Sequence, residues 1–163
     1  MMGAGKTTAG KRLARECGFG FIDLDREIER RTGVTVSTIF EIEGEAGFRA
    51  RESQLLAEVS ARSGWVVATG GGVVLSPANR ARLLAAPCVI YLSATPTQIY
   101  SRTRHDRSRP LLQVSDPLGR ITQLVVRRDP LYREVADSII ETGRDISTVM
   151  DNIKSDIARA CKH

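Results

Sequence analysis

The chain has 163 residues, which suits one domain with a full-sized hydrophobic core. Its hydrophobic fraction of 42% and charged fraction of 26% are ordinary for a globular protein, and no apolar run is long enough to span a membrane. The net charge of +5 would suit nucleic acid, but aromatic residues make up only 5% and the arginines form no stripe with stacking residues, which argues against that partner.

The first residues match a phosphate-binding loop, G-x-x-x-x-G-K-[ST], from its second position onward. Glycines in such a loop let successive backbone N–H groups point at phosphate oxygens. Lys6 can place its charge on the outer phosphates, and the Thr7 hydroxyl can bind Mg²⁺. The residues predicted to bind the nucleotide here are Gly3, Ala4, Gly5, Lys6, Thr7 and Thr8. A glycine-rich start that merely caps a helix is the alternative interpretation.

Behind the loop, short apolar runs alternate with helical stretches. Strands are predicted at 19–23, 65–69, 88–92 and 138–141. Helices are predicted at 6–17, 27–31, 38–43, 45–62, from Ser76-Pro77 onward, 96–104, 118–135 and 147–160, with Ser37 as a cap, Gly44 as a break and Pro130 as a bend or break. The alternation predicts a three-layer α/β fold, a parallel sheet with helices on both faces, in a single domain of residues 1–163.

An acidic pair, Asp23 and Asp25, stands at the end of the first predicted strand. If the backbone there is extended, both side chains face the same side. A carboxylate near a nucleotide can hold Mg²⁺ or its water shell, and a second can accept a proton from a substrate hydroxyl. Capping of the next helix is the alternative role.

Arg49 and Glu52 lie three residues apart on a predicted helix, so the carboxylate can hold the guanidinium in place. A fixed guanidinium fork suits a substrate carboxylate, which it can bind through two parallel hydrogen bonds. A solvated, salt-bridged helix face is the alternative.

Three consecutive glycines, Gly70-Gly71-Gly72, follow the second predicted strand. They admit a ligand against bare backbone, although a tight turn would need the same residues. Ligands in such folds bind at the carboxyl ends of the strands, where the glycines, the acidic pair and the phosphate loop all lie. The sequence therefore predicts that three motifs meet in one crevice.

At this point the chain resembles the shikimate kinases, small-molecule kinases related in fold to the nucleoside monophosphate kinases. The motifs that carry the resemblance span nearly the whole chain in order. They are Gly3 to Thr8, Asp23-Leu24-Asp25, the I-F-x-x-x-G-E-x-x-F-R-x-x-E run from Ile39 to Glu52, Gly70-Gly71-Gly72, Arg109-Pro110-Leu111-Leu112, and Arg128-Asp129-Pro130-Leu131-Tyr132.

On the nucleotide side, the resemblance implies that ATP and Mg²⁺ are the cofactors. Lys6 and Thr7 would bind the phosphates and the metal ion, and Asp23 would hold the water shell of the metal. Arg109 would swing onto the transferring phosphoryl group from a mobile lid at 105–116, and Arg102 would flank the adenine.

On the acceptor side, the resemblance implies phosphorylation of the 3-hydroxyl of shikimate, a step of aromatic amino-acid biosynthesis. Asp25 would bind the shikimate hydroxyls and help deprotonate the attacking one. Arg49 and Arg128 would clamp the carboxylate, and Gly71 and Gly72 would line the ring. Residues 24–52 would then form a substrate-binding segment.

Two other functions remain open at this stage. Another small polyol acid, such as gluconate, could use the same pair of arginines. A catalytically inactive nucleotide-binding relative is the alternative from a different class, although the expected catalytic side chains Lys6, Asp25 and Arg109 are all present. A nucleoside monophosphate kinase is disfavoured because nothing indicates a pocket for an acceptor base.

The remaining expectations concern partners and location. Three cysteines, Cys17, Cys88 and Cys161, are odd in number and lack metal-binding spacing, which favours reduced thiols in a cytoplasm. The N-terminus has no secretory pattern. We expect a cytoplasmic monomer without membrane or nucleic-acid partners.

The strand that precedes the phosphate loop in this fold, and the first glycine of the loop, do not appear in the sequence. We expect about ten residues to be missing upstream. If about four side chains of a central strand are buried, their loss removes on the order of 6–12 kcal/mol. The stability of a whole domain is only about 5–15 kcal/mol, so the chain as written is expected to fold marginally.

Overall fold

The computed structural model describes residues 1–106 and 108–160; Arg107, which falls within the expected lid, and residues 161–163 lie outside that part. Its helices are α1 (Lys6–Cys17), α2 (Leu24–Thr32), α3 (Val36–Ser60), α4 (Pro77–Leu84), α5 (Pro96–Thr103), α6 (Pro117–Val135) and α7 (Ile146–Ala160). Its strands are β1 (Gly20–Asp23), β2 (Trp65–Ala68), β3 (Ile90–Ser93) and β4 (Ser138–Glu141). Two short 3₁₀ turns lie at Val73–Leu75 and Pro110–Leu112.

The helix termini follow from local chemistry. α1 starts after Gly5 and stops at Gly18, both in the left-handed region. Ser76 caps α4 and Pro77 occupies its first turn, as predicted. The Ser37 cap was wrong. Thr35 caps α3 instead, and its hydroxyl accepts the Thr38 N–H because the helix begins earlier than predicted.

The long helices α3 and α6 each contain a residue that disfavours helix, Gly44 and Pro130 respectively, and only α3 is kinked at that residue. In α3, Gly44 has φ 72° and ψ 178°, so two helical segments meet at a kink where the sequence predicts a break. In α6 the helix continues through Pro130. Pro130 removes one backbone donor there but does not end the helix.

The strands pair in parallel, as predicted, with β1 next to β2 and β3 next to β4. Gly20 is opposite Trp65 in the first pair, and Ile90 is opposite Ser138 in the second. Within the described residues these pairs form two separate two-stranded sheets, and no strand precedes the phosphate loop.

Helices cover both faces of the strands, which confirms the predicted layers. On one side Leu92 and Ile140 pack with residues of α1 and α7, among them Ala9 and Met150. On the other side Tyr91 joins a larger core with residues of α2, α3, α5 and α6. Successive residues of β3 therefore point into two cores, as expected of a strand buried on both faces.

Two further predictions can be compared with the structure. Cys17 is a free, exposed thiol, whereas Cys88 is disulfide-bonded, so the expectation of reduced thiols is wrong for Cys88; Cys161 lies outside the described residues. Across residues 1–106 and 108–160, no helix has the length and apolar character needed to cross a membrane.

Candidate functional site

The phosphate loop is held in a conformation that leaves a helix terminus open. Gly3 and Gly5 have φ of 65° and 88°, which glycine adopts at little cost. No side chain caps the N-terminus of α1, so its first N–H groups are free to bind an anion. A Cβ on Gly3 would lie 2.8 Å from the Thr103 methyl group, so the loop also needs glycine to pack against α5.

Lys6 begins α1, and its Nζ donates to the Met1 carbonyl at 2.5 Å. Burial lowers the pKa of Lys6 from its ordinary 10.5 to about 8. The nearby carboxylates of Asp25 and Asp23 oppose this shift, whereas Arg109 adds to it. The ammonium is therefore poorly solvated in the free protein, and a bound phosphate would stabilise its charged form.

The Thr7 hydroxyl donates to Asp23 Oδ2 at 2.5 Å. The other oxygen of Asp23 caps α2 through the N–H groups of Asp25 and Arg26, so the alternative capping role is present and the role toward the metal stays a prediction. No group of three or more acidic, histidine or cysteine side chains that could hold a metal occurs in the described residues. Two hard oxygen donors fit Mg²⁺, which takes few protein ligands when phosphates and water supply the rest.

Asp25 lies in the first turn of α2 and lines the same cavity, and its Oδ1 is buried without a hydrogen-bond partner among the described residues. Burial raises the pKa of Asp25, and the neighbouring Asp23 carboxylate adds to the shift. Lys6, Arg109 and Arg49 act in the opposite direction. A carboxylate with a raised pKa and a free oxygen is suited to accept a proton.

Arg49 and Glu52 form the ion pair that the spacing predicts, with Nη1 2.8 Å from Oε2. Glu52 is fully buried, and burial raises its pKa. Glu45 holds the other side of the guanidinium at 3.1 Å but is exposed. A Cβ on Gly72 would lie 2.1 Å from Cζ of Arg49, so the guanidinium occupies space that only glycine leaves open.

Arg128 projects from α6 toward Gly70-Gly71-Gly72, which we call the glycine turn. Its Nη1 donates to the Gly71 carbonyl at 3.0 Å, and its buried Nε has no partner in the part of the chain that the structure describes. Burial lowers the pKa of Arg128, and Tyr132 opposes the shift. Tyr132, for which the sequence predicted no role, donates its hydroxyl to the same Gly71 carbonyl.

Two more arginines lie at the edges of this arrangement. Arg109 contributes to the cavity wall, and its Nε is 2.9 Å from Asp106 Oδ2. Arg102 lies on the outer side of the phosphate loop, where it donates to the Gly3 carbonyl and to the hydroxyl and carbonyl of Thr142. Its expected role beside adenine stays a prediction.

These groups share one cavity of about 460 Å³. The predicted site residues that line it are Gly3, Gly5, Lys6, Thr7, Thr8, Asp23, Asp25, Arg49, Gly71, Gly72, Arg109 and Arg128. Ala4 is buried beneath the loop, and Arg102 is not part of the wall. Lining residues without a predicted role include Val36, Phe40, Phe48, Thr69 and Leu111. Apart from Thr69 they are apolar and resemble ordinary core packing, which is why the sequence assigned them no role in the site.

The arrangement suits phosphoryl transfer. It has an anion-binding helix terminus at one end, oxygen donors for a metal beside it, and a carboxylate with a raised pKa further in. Arg49, Arg109 and Arg128 line the remaining wall, and among the described residues Arg128 has no carboxylate partner. This chemistry depends on positioning and on stabilising charge, and each requirement has a group on the cavity wall.

Comparisons with known proteins agree with this chemistry. A family model described as shikimate kinase matches residues 2–158. The shikimate kinase of Aromatoleum aromaticum is 55% identical over all of this chain and 96% of that protein. The shikimate kinase of Ralstonia nicotianae is 58% identical over 88% of this chain and 76% of that protein.

Solved structures give the same result. A shikimate kinase from Acinetobacter baumannii in complex with shikimate matches with a TM-score of 0.94 and 46% identity, covering 96% of this chain and 88% of that one. A gluconokinase from Sinorhizobium meliloti matches with a TM-score of 0.62 and 14% identity, covering 98% of this chain and 88% of that one. At that identity the gluconokinase shares the fold alone.

The depressed pKa of Lys6 predicts that nucleotide binding takes up a proton. Lys6 binds a proton less readily in the folded, ligand-free protein than in the unfolded chain. The charged Lys6 therefore destabilises the fold fully below about pH 8, and this destabilisation decreases as the pH rises toward 10.5. Bound phosphate should raise the pKa again. At about pH 8.5, we expect the calorimetric heat of ATP binding to depend on the ionisation enthalpy of the buffer.

The matched control is Lys6→Arg, which keeps a charge that does not titrate in this range. Its heat of ATP binding should be the same in buffers of low and high ionisation enthalpy. Equal heats for the unmodified protein would contradict the assigned pKa.

Proposed function

This chain belongs to the shikimate kinase family, and on that premise we propose that the cavity between the phosphate loop and the glycine turn is where it works. The reaction is transfer of a phosphoryl group from ATP, with Mg²⁺, to the 3-hydroxyl of shikimate. When bound, the metal ion would neutralise charge on the phosphates. The residues below supply the remaining functions.

The observation that carries the acceptor assignment is the unneutralised charge of Arg128. It is 3% exposed and has no carboxylate partner among the described residues. A buried cation of this kind is stabilised by an incoming anion. Arg49 faces the same cavity and is already oriented by Glu52. We assign the shikimate carboxylate to these two guanidinium groups, with Gly71 and Gly72 beside the ring.

Asp25 is assigned to the reacting hydroxyl. Its raised pKa and free oxygen let it accept the proton that leaves as the hydroxyl attacks phosphorus. Lys6 and the N–H groups at the start of α1 would hold the phosphates of ATP, while Thr7 and Asp23 would hold Mg²⁺ and its water. Residues 24–52, which carry Asp25 and Arg49, then form the acceptor-binding segment.

Arg109 is assigned to the transferring phosphoryl group, in a lid at residues 105–116. In the free protein Asp106 holds its guanidinium in a partly exposed ion pair. Pairs of this kind contribute only about 0–1 kcal/mol, so Arg109 can exchange Asp106 for a phosphoryl oxygen at little cost. We place Arg102 beside the adenine, where Thr142 holds its guanidinium.

The protein is proposed to act as a cytoplasmic monomer, without nucleic-acid or membrane partners. The net charge of +5 and the arginines of the cavity then serve small anionic substrates. The exclusion of nucleic acid is supported by the scattered placement of the other arginines, several of which pair with acidic neighbours on the helix surfaces.

The direct test of the proposed function is an ADP-release assay with shikimate, gluconate and AMP supplied separately as acceptors. We expect shikimate-dependent release and only background rates with the other two. Appearance of shikimate 3-phosphate should match the ADP released. Turnover with gluconate or AMP at a rate similar to that with shikimate would contradict the acceptor assignment.

Arg49→Lys and Arg128→Lys should each weaken shikimate binding far more than ATP binding. Lysine keeps the charge but loses the planar fork that grips a carboxylate. Charge-assisted hydrogen bonds of this kind contribute roughly 1.5–3 kcal/mol, so we expect a loss of about ten- to a hundredfold in affinity. Separate titrations with the two ligands measure it, and a loss that falls on ATP would show that the clamp is assigned wrongly. Arg51→Lys, on the same helix but paired with Glu43, is the control.

Arg109→Ala should lower kcat much more than it changes the affinity for either substrate. The contact of Arg109 with the phosphoryl group is expected to form only as that group moves, so the ground state loses little. Steady-state kinetics and equilibrium titrations of the same variant separate the two effects. A parallel loss of shikimate affinity would instead make Arg109 a ground-state binding residue.

A further inference from the structure

The carbonyl of Gly71 accepts hydrogen bonds from two residues one helical turn apart on α6. Arg128 donates through Nη1 at 3.0 Å, and Tyr132 donates through its hydroxyl. The Met1 sulfur also lies 3.3 Å from that hydroxyl. A carbonyl oxygen has two lone pairs, so these two donors saturate it. The turn beside the proposed acceptor site is thus fixed from α6 at one atom.

Fixing this carbonyl also fixes the direction of the next N–H group. The peptide between Gly71 and Gly72 is planar and trans, so its N–H points opposite to its C=O, away from α6. Among residues 1–106 and 108–160 the N–H of Gly72 has no acceptor. Glycine has few steric limits on its backbone, so without an external restraint this peptide could rotate.

The ring of Tyr132 is itself held in place. It stacks on Tyr91 of β3, with ring centroids 4.8 Å apart and planes at 29°. The Tyr91 hydroxyl donates to Asp129 at 2.8 Å, which joins β3 to α6 at a second point. Tyr132 is 6% exposed, and burial raises its pKa to about 12, so its hydroxyl keeps its proton at neutral pH.

We propose that Tyr132 is a positioning residue for the acceptor carboxylate. Its hydroxyl shares the Gly71 carbonyl with Arg128 and holds the Gly71–Gly72 peptide in one orientation. Arg128 is then bound to the turn through Nη1, and its buried Nε, which has no partner among the described residues, is left for the ligand. This inference rests on the proposed function, because the anion concerned is the carboxylate assigned to Arg49 and Arg128.

The experiment compares two tyrosines of one stacked pair. Tyr132→Phe removes the hydroxyl on Gly71 and keeps the stacked ring, whereas Tyr91→Phe removes the hydroxyl on Asp129. Shikimate, shikimate methyl ester and ATP are titrated separately into the purified full chain. We expect Tyr132→Phe to weaken shikimate binding about tenfold, the effect of one buried hydrogen bond. ATP affinity should stay within about twofold, as should shikimate affinity in Tyr91→Phe, because that variant keeps both the stacked ring and the Tyr132 hydroxyl on Gly71.

Binding of the methyl ester distinguishes a role in positioning the carboxylate from a general loss of structure in the binding site. It lacks the anionic carboxylate, so Tyr132→Phe and the unmodified protein should bind it with the same affinity. A shikimate affinity within about twofold of the unmodified protein would overturn the inference, as would equal losses for shikimate, the ester and ATP. If Tyr132→Phe is too unstable for titration, the KM for shikimate is measured below its melting temperature in Tyr132→Phe, Arg128→Lys and the double variant. Additive effects of the two substitutions on this KM would also overturn the inference.

Arg128→Lys, titrated in parallel, distinguishes this inference from the proposed function. If Arg128→Lys weakens shikimate binding and Tyr132→Phe does not, the positioning role is wrong and the carboxylate clamp stands. If Arg128→Lys leaves shikimate binding unchanged, the clamp itself is wrong.

Discussion

The cost of burying charge is the constraint on which the site depends. Moving an ion out of water costs several kcal/mol unless partners compensate it. Glu52 is fully buried, and its compensation comes from Arg49, which it orients in return. Arg128 is buried to a similar extent, but within the described part of the chain it contacts the Gly71 carbonyl and Tyr132 and has no carboxylate partner. The ligand-free protein therefore has an uncompensated positive charge where the acceptor carboxylate is proposed to bind. The charged residues buried in the fold are thus also the ones proposed to bind the substrate.

Much of this arrangement could be predicted from sequence because its causes are local. The left-handed glycines, the Ser76-Pro77 start of α4 and the Arg49–Glu52 spacing each follow from chemistry within one helical turn. The meeting of the motifs follows from the rule that parallel strands present their carboxyl ends at one edge. Phe21 to Asp23 and Val66 to Ala68 do pair in that way.

What sequence could not give depends on contacts between distant parts of the chain. Tyr132 belongs to a motif of the resemblance but received no role from the sequence, because its contact with Gly71 spans 61 residues. Arg102 likewise meets Thr142 across 40 residues, in a region where the sequence pattern is weak. The displaced cap at Thr35 is a smaller failure of the same kind, because Thr35 and Ser37, two residues apart, both satisfy the local rule. Tertiary packing decides between them.

The glycine turn restricts which amino-acid substitutions the protein can tolerate at positions 70 and 72. A Cβ at position 70 would lie 2.3 Å from Glu52 Oε1 and 2.9 Å from Asp25 Oδ1, and one at position 72 would overlap the Arg49 guanidinium. Every missense change in these two codons adds that atom, whatever residue it encodes. By contrast, Gly33 and Gly64 have open space around them and positive φ, which asparagine or aspartate can adopt. In a saturation library, replacements at codons 70 and 72 should thus be depleted because each one displaces a charged group of the site, while codons 33 and 64 accept a small set of polar replacements.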